Sequence, residues 1–303
     1  MFEDRTIYVN ITGKCNLSCS YCFFKVERER CVQDCLTKDD IFGTLGSLKE
    51  YGYNEVSFTG GEPLLRNDLY ECIEFAHRLE LLTSVDTNGT LLDTQCVIKL
   101  LKSGLDSAFV SLDDLDGLSH NVNRGLHKKT MQSLKQLIKT DIAVCISTTV
   151  SLLNLDKIVD LCKFCEKNEL RIVFHPVYLP KNIPLFDNLS LQGATANQLG
   201  ILKNQLKYYA EKFNVGNYVE LFLSCITGGG KKPTRCNQGE KGLVIESDGR
   251  VYPCFHRRDI ILGNILTNDW TDIFAKLKEK IREIEKAECF GEQCVSMFCP
   301  FNM

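Results

Sequence analysis

The sequence predicts an α/β fold built on a parallel sheet, and two observations support it. Between residue 6 and about residue 180, short β-branched or apolar runs alternate with longer segments of helical periodicity, as repeated βα units do. The 303 residues, 44 % hydrophobic and 25 % charged, suffice for a globular core. The six predicted strands are Thr6–Thr12, Glu55–Thr59, Leu82–Asp86, Ala108–Leu112, Ala143–Thr149 and Arg171–Val177.

Helices are predicted between these strands from their start signals. Thr37 precedes two acidic residues, which is typical of a helix N-terminus, and further helices are predicted near Asn67, Asp93, Lys128 and Asn154. Such crossovers fit either an open doubly wound sheet or a barrel, and both gather functional residues at the carboxyl ends of the strands. The residues predicted at these ends are Cys15, Gly60, Asn88, Asp113 and Thr149.

The character of the chain changes after a helix predicted at about Ala196–Phe213. Glycines at 228–230 indicate a connector, and a hairpin is predicted over Leu243–Tyr252 with its turn at Asp248-Gly249. Five cysteines lie beyond this connector. We therefore predict two domains, residues 1–215 and a small cysteine-rich domain of residues 225–303.

The 16 cysteines need a chemical explanation, since a chain of this length needs no disulfides to supplement its core. The first residues lack the basic start and apolar run of a signal peptide, and no apolar stretch reaches the roughly 18 residues of a membrane span. We expect a cytoplasmic protein with reduced thiols, away from the membrane. The net charge of −3 also argues against nucleic acid as a partner.

The most specific motif is Cys15-Asn-Leu-Ser-Cys19-Ser-Tyr-Cys22, directly after the first strand. Three thiolates at these spacings can hold one face of a cubane iron–sulfur cluster, which leaves the fourth iron open for a ligand. A zinc site or a chance grouping of cysteines is the alternative. The motif resembles the C-x3-C-x2-C signature of the radical S-adenosylmethionine (SAM) superfamily, including the aromatic Tyr21 before the last cysteine.

This resemblance implies a cofactor and its binding residues. In the family, a 4Fe-4S cluster binds SAM and reduces it to a 5′-deoxyadenosyl radical, which abstracts a substrate hydrogen. Thr59-Gly60-Gly61-Glu62-Pro63 matches the GGEP motif, whose backbone and acidic residue hold the SAM amino group. His120 and Arg124-Gly125 resemble a His-Asp-x-x-Arg-Gly stretch without its aspartate. The positions of five further residues imply contacts with SAM: Asn88, Ser111, Asp113, Arg124 and Thr149. The alternative is that these residues serve only as turn, cap or surface residues.

The C-terminal region resembles the auxiliary-cluster domains called SPASM or twitch. Cys236, Gly249 and Cys254 fit the opening of that pattern, and Leu262-Gly263-Asn264-Ile265 fits its next turn. The last cysteines, Cys289, Cys294 and Cys299, are fewer than a full SPASM domain has. We therefore expect one auxiliary 4Fe-4S cluster, ligated by Cys236, Cys254 and two of these three. The spare thiol is a candidate catalytic hydrogen donor; Cys225 is a possible extra ligand, and structural zinc is the alternative.

Together these resemblances imply a partial (β/α)6 TIM-like barrel with a small domain across its mouth. They imply an enzyme that most often modifies a peptide by crosslinking, epimerisation or oxidation, with a flavodoxin or ferredoxin as electron donor. A dehydrogenase or epimerase of an aminocyclitol or sugar is the first alternative. A non-catalytic iron–sulfur or zinc protein is the second, although it has no need of the GGEP turn. Cys145 and His175 are open between core and cavity roles.

Overall fold

The computed structural model describes residues 5–22, 34–177, 186–212, 219–220, 222–223, 239, 241–255 and 257–285. Its strands are β1 (Thr6–Thr12), β2 (Glu55–Gly60), β3 (Leu82–Thr87), β4 (Ser107–Ser111), β5 (Ala143–Val150), β6 (Arg171–Pro176), β7 (Gly242–Ile245), β8 (Arg250–Tyr252) and β9 (Gly263–Asn264). Its α-helices are α1 (Lys38–Glu50), α2 (Leu69–Arg78), α3 (Thr94–Lys102), α4 (Leu118–Asn123), α5 (His127–Leu137), α6 (Ile158–Lys167), α7 (Phe186–Leu189), α8 (Ala196–Lys212) and α9 (Trp270–Glu285).

One sheet joins all of these strands, in the order β6-β5-β4-β3-β2-β1-β7-β8-β9. The first six strands are parallel and neighbour each other in chain order, which is the arrangement of a partial barrel. The predicted barrel is thereby confirmed. β7 pairs parallel with β1, and β8 and β9 add antiparallel strands beyond it. The C-terminal hairpin therefore extends the barrel sheet, while the predicted division at residues 215 and 225 stays a prediction.

The hydrophobic core lies between the sheet and its helices. Ile7, Val9 and Ile11 of β1 are buried on the side of the sheet that faces the helices. Val56 and Phe58 of β2 are buried on the same side. Alternate residues such as Tyr8 and Ser57 face the inside of the barrel, because side chains alternate across a strand. The inner face is thus free to form a cavity. No helix in the described ranges has the length and apolar composition that a bilayer span requires.

Local signals explain most element boundaries. Thr37 caps α1 with a capping box, in which the Asp40 N–H donates to Thr37 Oγ1 at 3.2 Å and the Thr37 N–H donates to Asp40 Oδ2 at 2.8 Å. The C-terminal hairpin forms as predicted, with Gly249 at φ +86° in its turn.

The short helix α4 was not predicted, because it depends on one buried carboxylate rather than on a periodic pattern. Asp114 is fully buried and accepts hydrogen bonds from the N–H groups of Gly117, Ser119 and His120 at 2.6–3.0 Å. These contacts fix the turn that starts α4.

Candidate active site

The inner face of the barrel encloses a cavity of about 660 Å³. All six strands of the barrel contribute side chains to its wall, and Phe255 adds an aromatic ring from the C-terminal region. Most of the residues predicted for the site line this one cavity. They are Cys15, Cys19, Tyr21, Cys22, Thr59, Gly60, Gly61, Asn88, Ser111, Arg124 and Thr149.

The loop after β1, residues 13–22, which we call the cluster loop, presents the three thiols of the motif to the cavity. Cys15, Cys19 and Cys22 are each partly accessible there, whereas Lys14, Asn16 and Ser18 are exposed. The Leu17 N–H donates to Cys15 Sγ at 3.4 Å, the kind of contact that stabilises a cluster thiolate. Three accessible thiols facing one space fit a cluster with an open coordination position toward the cavity.

Within the described ranges, no three His, Cys, Asp or Glu side chains surround a single metal-ion position. A cubane cluster does not require side chains that surround one metal-ion position, because each of its thiolates binds a separate iron.

The two glycines of the GGEP motif allow the β1 loop to pack directly on the end of β2. A Cβ on Gly61 would lie 2.0 Å from the Lys14 carbonyl oxygen, and a Cβ on Gly60 would lie 2.4 Å from that of Thr12. In that close approach the Gly61 N–H donates to Thr12 O and the Glu62 N–H donates to Lys14 O, both at 2.8 Å. The glycines thus position the loop that carries Cys15.

The side chain of Glu62 does not reach the cavity, contrary to the expectation that its carboxylate holds the SAM amino group. Its side chain is fully buried and does not line the cavity, and neither does that of Pro63. Its two oxygens accept hydrogen bonds from the Asn88 N–H at 2.8 Å, the Thr87 hydroxyl at 2.7 Å and the Leu64 N–H at 3.3 Å. Burial raises the pKa of Glu62 to about 7, against the opposing effect of these donors. The carboxylate therefore joins the ends of β2 and β3, and the backbone at Gly60-Gly61 is what faces the cavity.

Asn88 is tied to the cluster loop as well as to Glu62. Its side-chain N–H donates to Asn16 Oδ1 at 2.9 Å, and its Oδ1 accepts from the Thr90 N–H at 2.9 Å. Asn88 thereby connects the end of β3 to the loop of the three cysteines.

A buried ion pair lies next to Tyr21 of the loop after β1. Arg124 Nε donates to Asp113 Oδ2 at 2.9 Å, and a terminal Arg124 nitrogen donates to Thr149 Oγ1 at 3.1 Å. The Tyr21 hydroxyl donates to the same Asp113 oxygen, and the Arg124 guanidinium lies over the Tyr21 ring. Burial is the largest single effect on the pKa of Arg124 and lowers it, but Asp113, Tyr21 and Cys19 together raise the pKa above its usual value. Arg124 is therefore a charged cavity residue held by Asp113, which itself lies behind the wall.

Three further cavity residues carry chemistry that the sequence did not assign. Asp86 lines the cavity and accepts a hydrogen bond from the Ser57 hydroxyl at 3.1 Å. Burial raises the pKa of Asp86 to about 6. His175 also lines the cavity, and burial together with Arg124 lowers its pKa to about 4, so its imidazole is neutral at pH 7. Cys145 lines the same wall. Strand parity could have found these residues, since Cys145 and Thr149 lie on one face of β5.

The predicted auxiliary site falls mostly outside the described residues. Cys254 is buried directly after β8, next to Phe255, whose ring packs edge-on against Tyr8 with centroids 5.3 Å apart. Cys225, Cys236, Cys289, Cys294 and Cys299 lie outside the described ranges.

Comparison with known proteins identifies the family. The model of the Radical SAM superfamily matches residues 9–165, which is more than half of the chain. The chain belongs to the radical SAM superfamily. An iron–sulfur cluster-binding domain, SPASM, matches residues 236–295, so the predicted family and its C-terminal domain are confirmed. A radical SAM enzyme with this domain carries 4Fe-4S clusters and uses SAM.

Relatives with known names differ in their reactions. A probable GTP 3′,8-cyclase of Sulfurisphaera tokodaii is 29 % identical over 92 % of this chain and 89 % of its own length. An AdoMet-dependent heme synthase of Nitratidesulfovibrio vulgaris is 30 % identical over 54 % of this chain, and that match covers only 45 % of the synthase. Sequence similarity therefore establishes a radical SAM enzyme without establishing its substrate.

Solved structures share the fold at low identity. SuiB of Streptococcus suis bound to S-adenosylmethionine matches 90 % of this chain and 66 % of its own chain, with 18 % identity and a TM-score of 0.70. The enzyme anSMEcpe with bound AdoMet matches 94 % of this chain and 86 % of its own, with 21 % identity and a TM-score of 0.66.

Proposed function

We propose that the protein uses radical SAM chemistry to modify a peptide, at a residue whose neutral or basic side chain enters the barrel cavity. The observation that carries the proposal is the charge of the described cavity wall. The carboxylates of Glu55, Asp86 and Asp106 line the cavity. The guanidinium groups of Arg124 and Arg171 line it as well, and Arg124 is paired with Asp113. A wall of this charge disfavours a polyanionic substrate such as a nucleoside triphosphate or a propionate-bearing macrocycle.

The size of the cavity supports the same substrate class. About 660 Å³ lies within the usual range of roughly 300–1,000 Å³ for a site that encloses one drug-sized ligand. SAM is a ligand of that size, so the space beside it suits a side chain better than a second large molecule. Related folds have been solved with precursor peptide SuiA on SuiB and with the Cp18Cys peptide on anSMEcpe.

We assign the following roles to the residues of the chain. When bound, cluster and SAM together supply the 5′-deoxyadenosyl radical. Cys15, Cys19 and Cys22 ligate the cluster, the Gly60-Gly61 backbone and Asn88 hold the SAM end nearest to it, and Arg124 holds a SAM carboxylate. Ser111, Thr149 and Tyr21 complete the wall around SAM. Asp86 and neutral His175 then orient the substrate side chain in the cavity.

The auxiliary site is proposed to use Cys236 and Cys254 with two of Cys289, Cys294 and Cys299, the third remaining as a hydrogen donor. The matched iron–sulfur domain supports this assignment for the cysteines up to residue 295.

A substrate panel tests the proposed class. Anaerobic protein with SAM and dithionite is incubated with a pool of short synthetic peptides, with Mg²⁺-GTP, with an iron porphyrin or with an amino sugar, and 5′-deoxyadenosine is measured. We expect the peptide pool to stimulate its formation and a peptide to change mass. Stimulation by GTP or the porphyrin, with no response to peptides, would contradict the proposal.

Replacement of Asp86 by asparagine is expected to remove a pH dependence of stability. Because its pKa is raised to about 6, folded protein binds more protons than unfolded protein between about pH 4 and pH 6. The wild type therefore loses the Asp86 contribution to stability as pH rises through this window, and the variant has no such contribution to lose. The free energy of unfolding of the Asp86→Asn variant, relative to that of the wild type, should rise by about 2 kcal/mol from pH 4 to pH 7, as measured by urea unfolding. A difference that is the same at both pH values would show that Asp86 is not held in this environment.

A further inference from the structure

Apolar and basic side chains are exposed on α4 and at the start of α5, and the end of α4 is hydrogen-bonded to the cluster loop. We call the side chains of Leu118, Val122, Leu126, Lys128 and Lys129 the α4 face. Leu118 and Val122 lie one turn apart on α4 and are 68 % and 71 % exposed, and Leu126 is 50 % exposed. Neighbouring exposed apolar residues rimmed by charge are typical of a protein interaction site.

The α4 face is rigidly held. Fully buried Asp114 fixes the start of α4 through three backbone N–H groups, as described above. The His127 N–H donates to Asn121 Oδ1 at 3.1 Å and so ties the start of α5 to α4. Leu126, between the two helices, has φ +57°, a left-handed conformation that a leucine rarely adopts. An exposed leucine held in this way is a preformed contact rather than a mobile one.

The α4 face is joined directly to the loop that holds the cluster. The Ser20 N–H donates to Asn123 O and the Ser20 hydroxyl donates to Asn123 Oδ1, both at 2.8 Å. Ser20 follows Cys19, and Asn123 follows Val122. A protein seated on the α4 face is therefore separated from a cluster ligand by a few covalent and hydrogen bonds.

The other side of the loop is closed to a protein donor. The three thiols face the barrel cavity, which the proposed function fills with SAM and the substrate side chain. An electron carrier must therefore approach from outside the loop, where Lys14, Asn16 and Ser18 are exposed.

The charge of this surface specifies the carrier. Lys128 and Lys129 are exposed at the start of α5, and Lys14 is exposed on the cluster loop. The nearby acid Asp116 is paired with Lys157 at 3.1 Å, so the surface favours an acidic partner.

We propose that the α4 face is the docking site of the one-electron donor, a small acidic carrier of the flavodoxin or ferredoxin type. This inference rests on the proposed function, since only a radical SAM reaction needs the electron. In the step itself one electron leaves the carrier and reduces the cluster, and no bond is made or broken. Electron-transfer complexes of this kind are small and transient, which suits a face of five side chains.

Two double variants test the proposal: Leu118→Ser with Val122→Ser, and Lys128→Glu with Lys129→Glu. The matched control is Lys135→Glu with Lys139→Glu, which makes the same charge change near the other end of α5. Formation of 5′-deoxyadenosine is measured with dithionite and, separately, with a limiting amount of reduced flavodoxin at low salt. Binding of oxidised flavodoxin is measured by calorimetry as a readout that does not depend on turnover.

We expect both test variants to lose about tenfold in flavodoxin-supported rate and in flavodoxin affinity, with the loss of the charge variant shrinking as salt rises. Their dithionite-supported rates stay within about twofold of the wild type, since surface substitutions rarely affect folding. Unchanged flavodoxin binding and rates, or an equal loss with dithionite, would overturn the docking site. A wild type that is inactive with dithionite would instead overturn the proposed function.

Discussion

The Gly61→Ala variant is expected to lose cluster binding, with SAM cleavage falling at least a hundredfold. The added Cβ would lie 2.0 Å from the Lys14 carbonyl oxygen and 2.5 Å from its carbon, and both are backbone atoms that cannot rotate away. The loop must move by more than an ångström, which separates Cys15 from the geometry it shares with Cys19 and Cys22. Iron content and 5′-deoxyadenosine formation measure the effect, a hundredfold loss corresponding to about 2.7 kcal/mol of barrier.

The matched control for this variant is Gly43→Ala. Gly43 lies in α1, and nothing lies within 4 Å of the position of an added Cβ. Alanine there should stabilise the helix by about 0.5–1 kcal/mol and leave iron content unchanged. A Gly61→Ala protein that matches this control in iron and in rate would refute the role assigned to the glycine pair.

The Arg124→Gln variant is expected to weaken both the fold and SAM binding. Removal of the guanidinium leaves the carboxylate of Asp113 buried beside only neutral donors, which typically costs about 3–5 kcal/mol. The proposed contact with the SAM carboxylate is lost as well, so we expect the KM for SAM to rise at least tenfold. Denaturant unfolding and the SAM dependence of 5′-deoxyadenosine formation measure the two effects separately.

An exposed arginine provides the comparison. Arg78 pairs with Glu74 across one turn of α2, at 3.4 Å and with both side chains more than half exposed. Arg78→Gln should change stability by less than about 1 kcal/mol, as surface pairs do. If Arg124→Gln behaved like Arg78→Gln in stability and in KM, the cavity role of the buried pair would be wrong.

Local signals predicted the fold well because its elements are periodic. The predicted strand at Thr6–Thr12 matches β1, and the other five barrel strands lie within two residues of their predictions. Consecutive crossovers could not decide between an open sheet and a barrel, since that choice depends on how distant strand edges pair. Helix α4 was missed because buried Asp114 defines it through its contacts.

The candidate site was predicted unevenly, for a physical reason. Cysteine spacing is a covalent pattern, so Cys15, Cys19 and Cys22 can be read from the sequence alone. The direction of a side chain is not a covalent pattern. Glu62 points away from the cavity because donors at the end of β3, Thr87 and Asn88, and the Leu64 N–H of its own turn surround its carboxylate. Asp86 and Cys145 were unassigned because strand parity identifies inward residues only once another residue of the same strand, such as Thr149 on β5, is known to face the cavity.

Substrate-free SAM cleavage by the anaerobically reconstituted full chain tests most directly whether the loop after β1 holds the cluster that cleaves SAM. With dithionite and SAM, we expect 5′-deoxyadenosine from the wild type and only background from the variant with Cys15, Cys19 and Cys22 replaced by alanine. The auxiliary site remains in that variant, so any difference belongs to the loop after β1. A wild type with an intact, reducible cluster that forms no 5′-deoxyadenosine would contradict the assignment of SAM cleavage to this protein. A triple variant that forms as much 5′-deoxyadenosine as the wild type would contradict the role of the three cysteines.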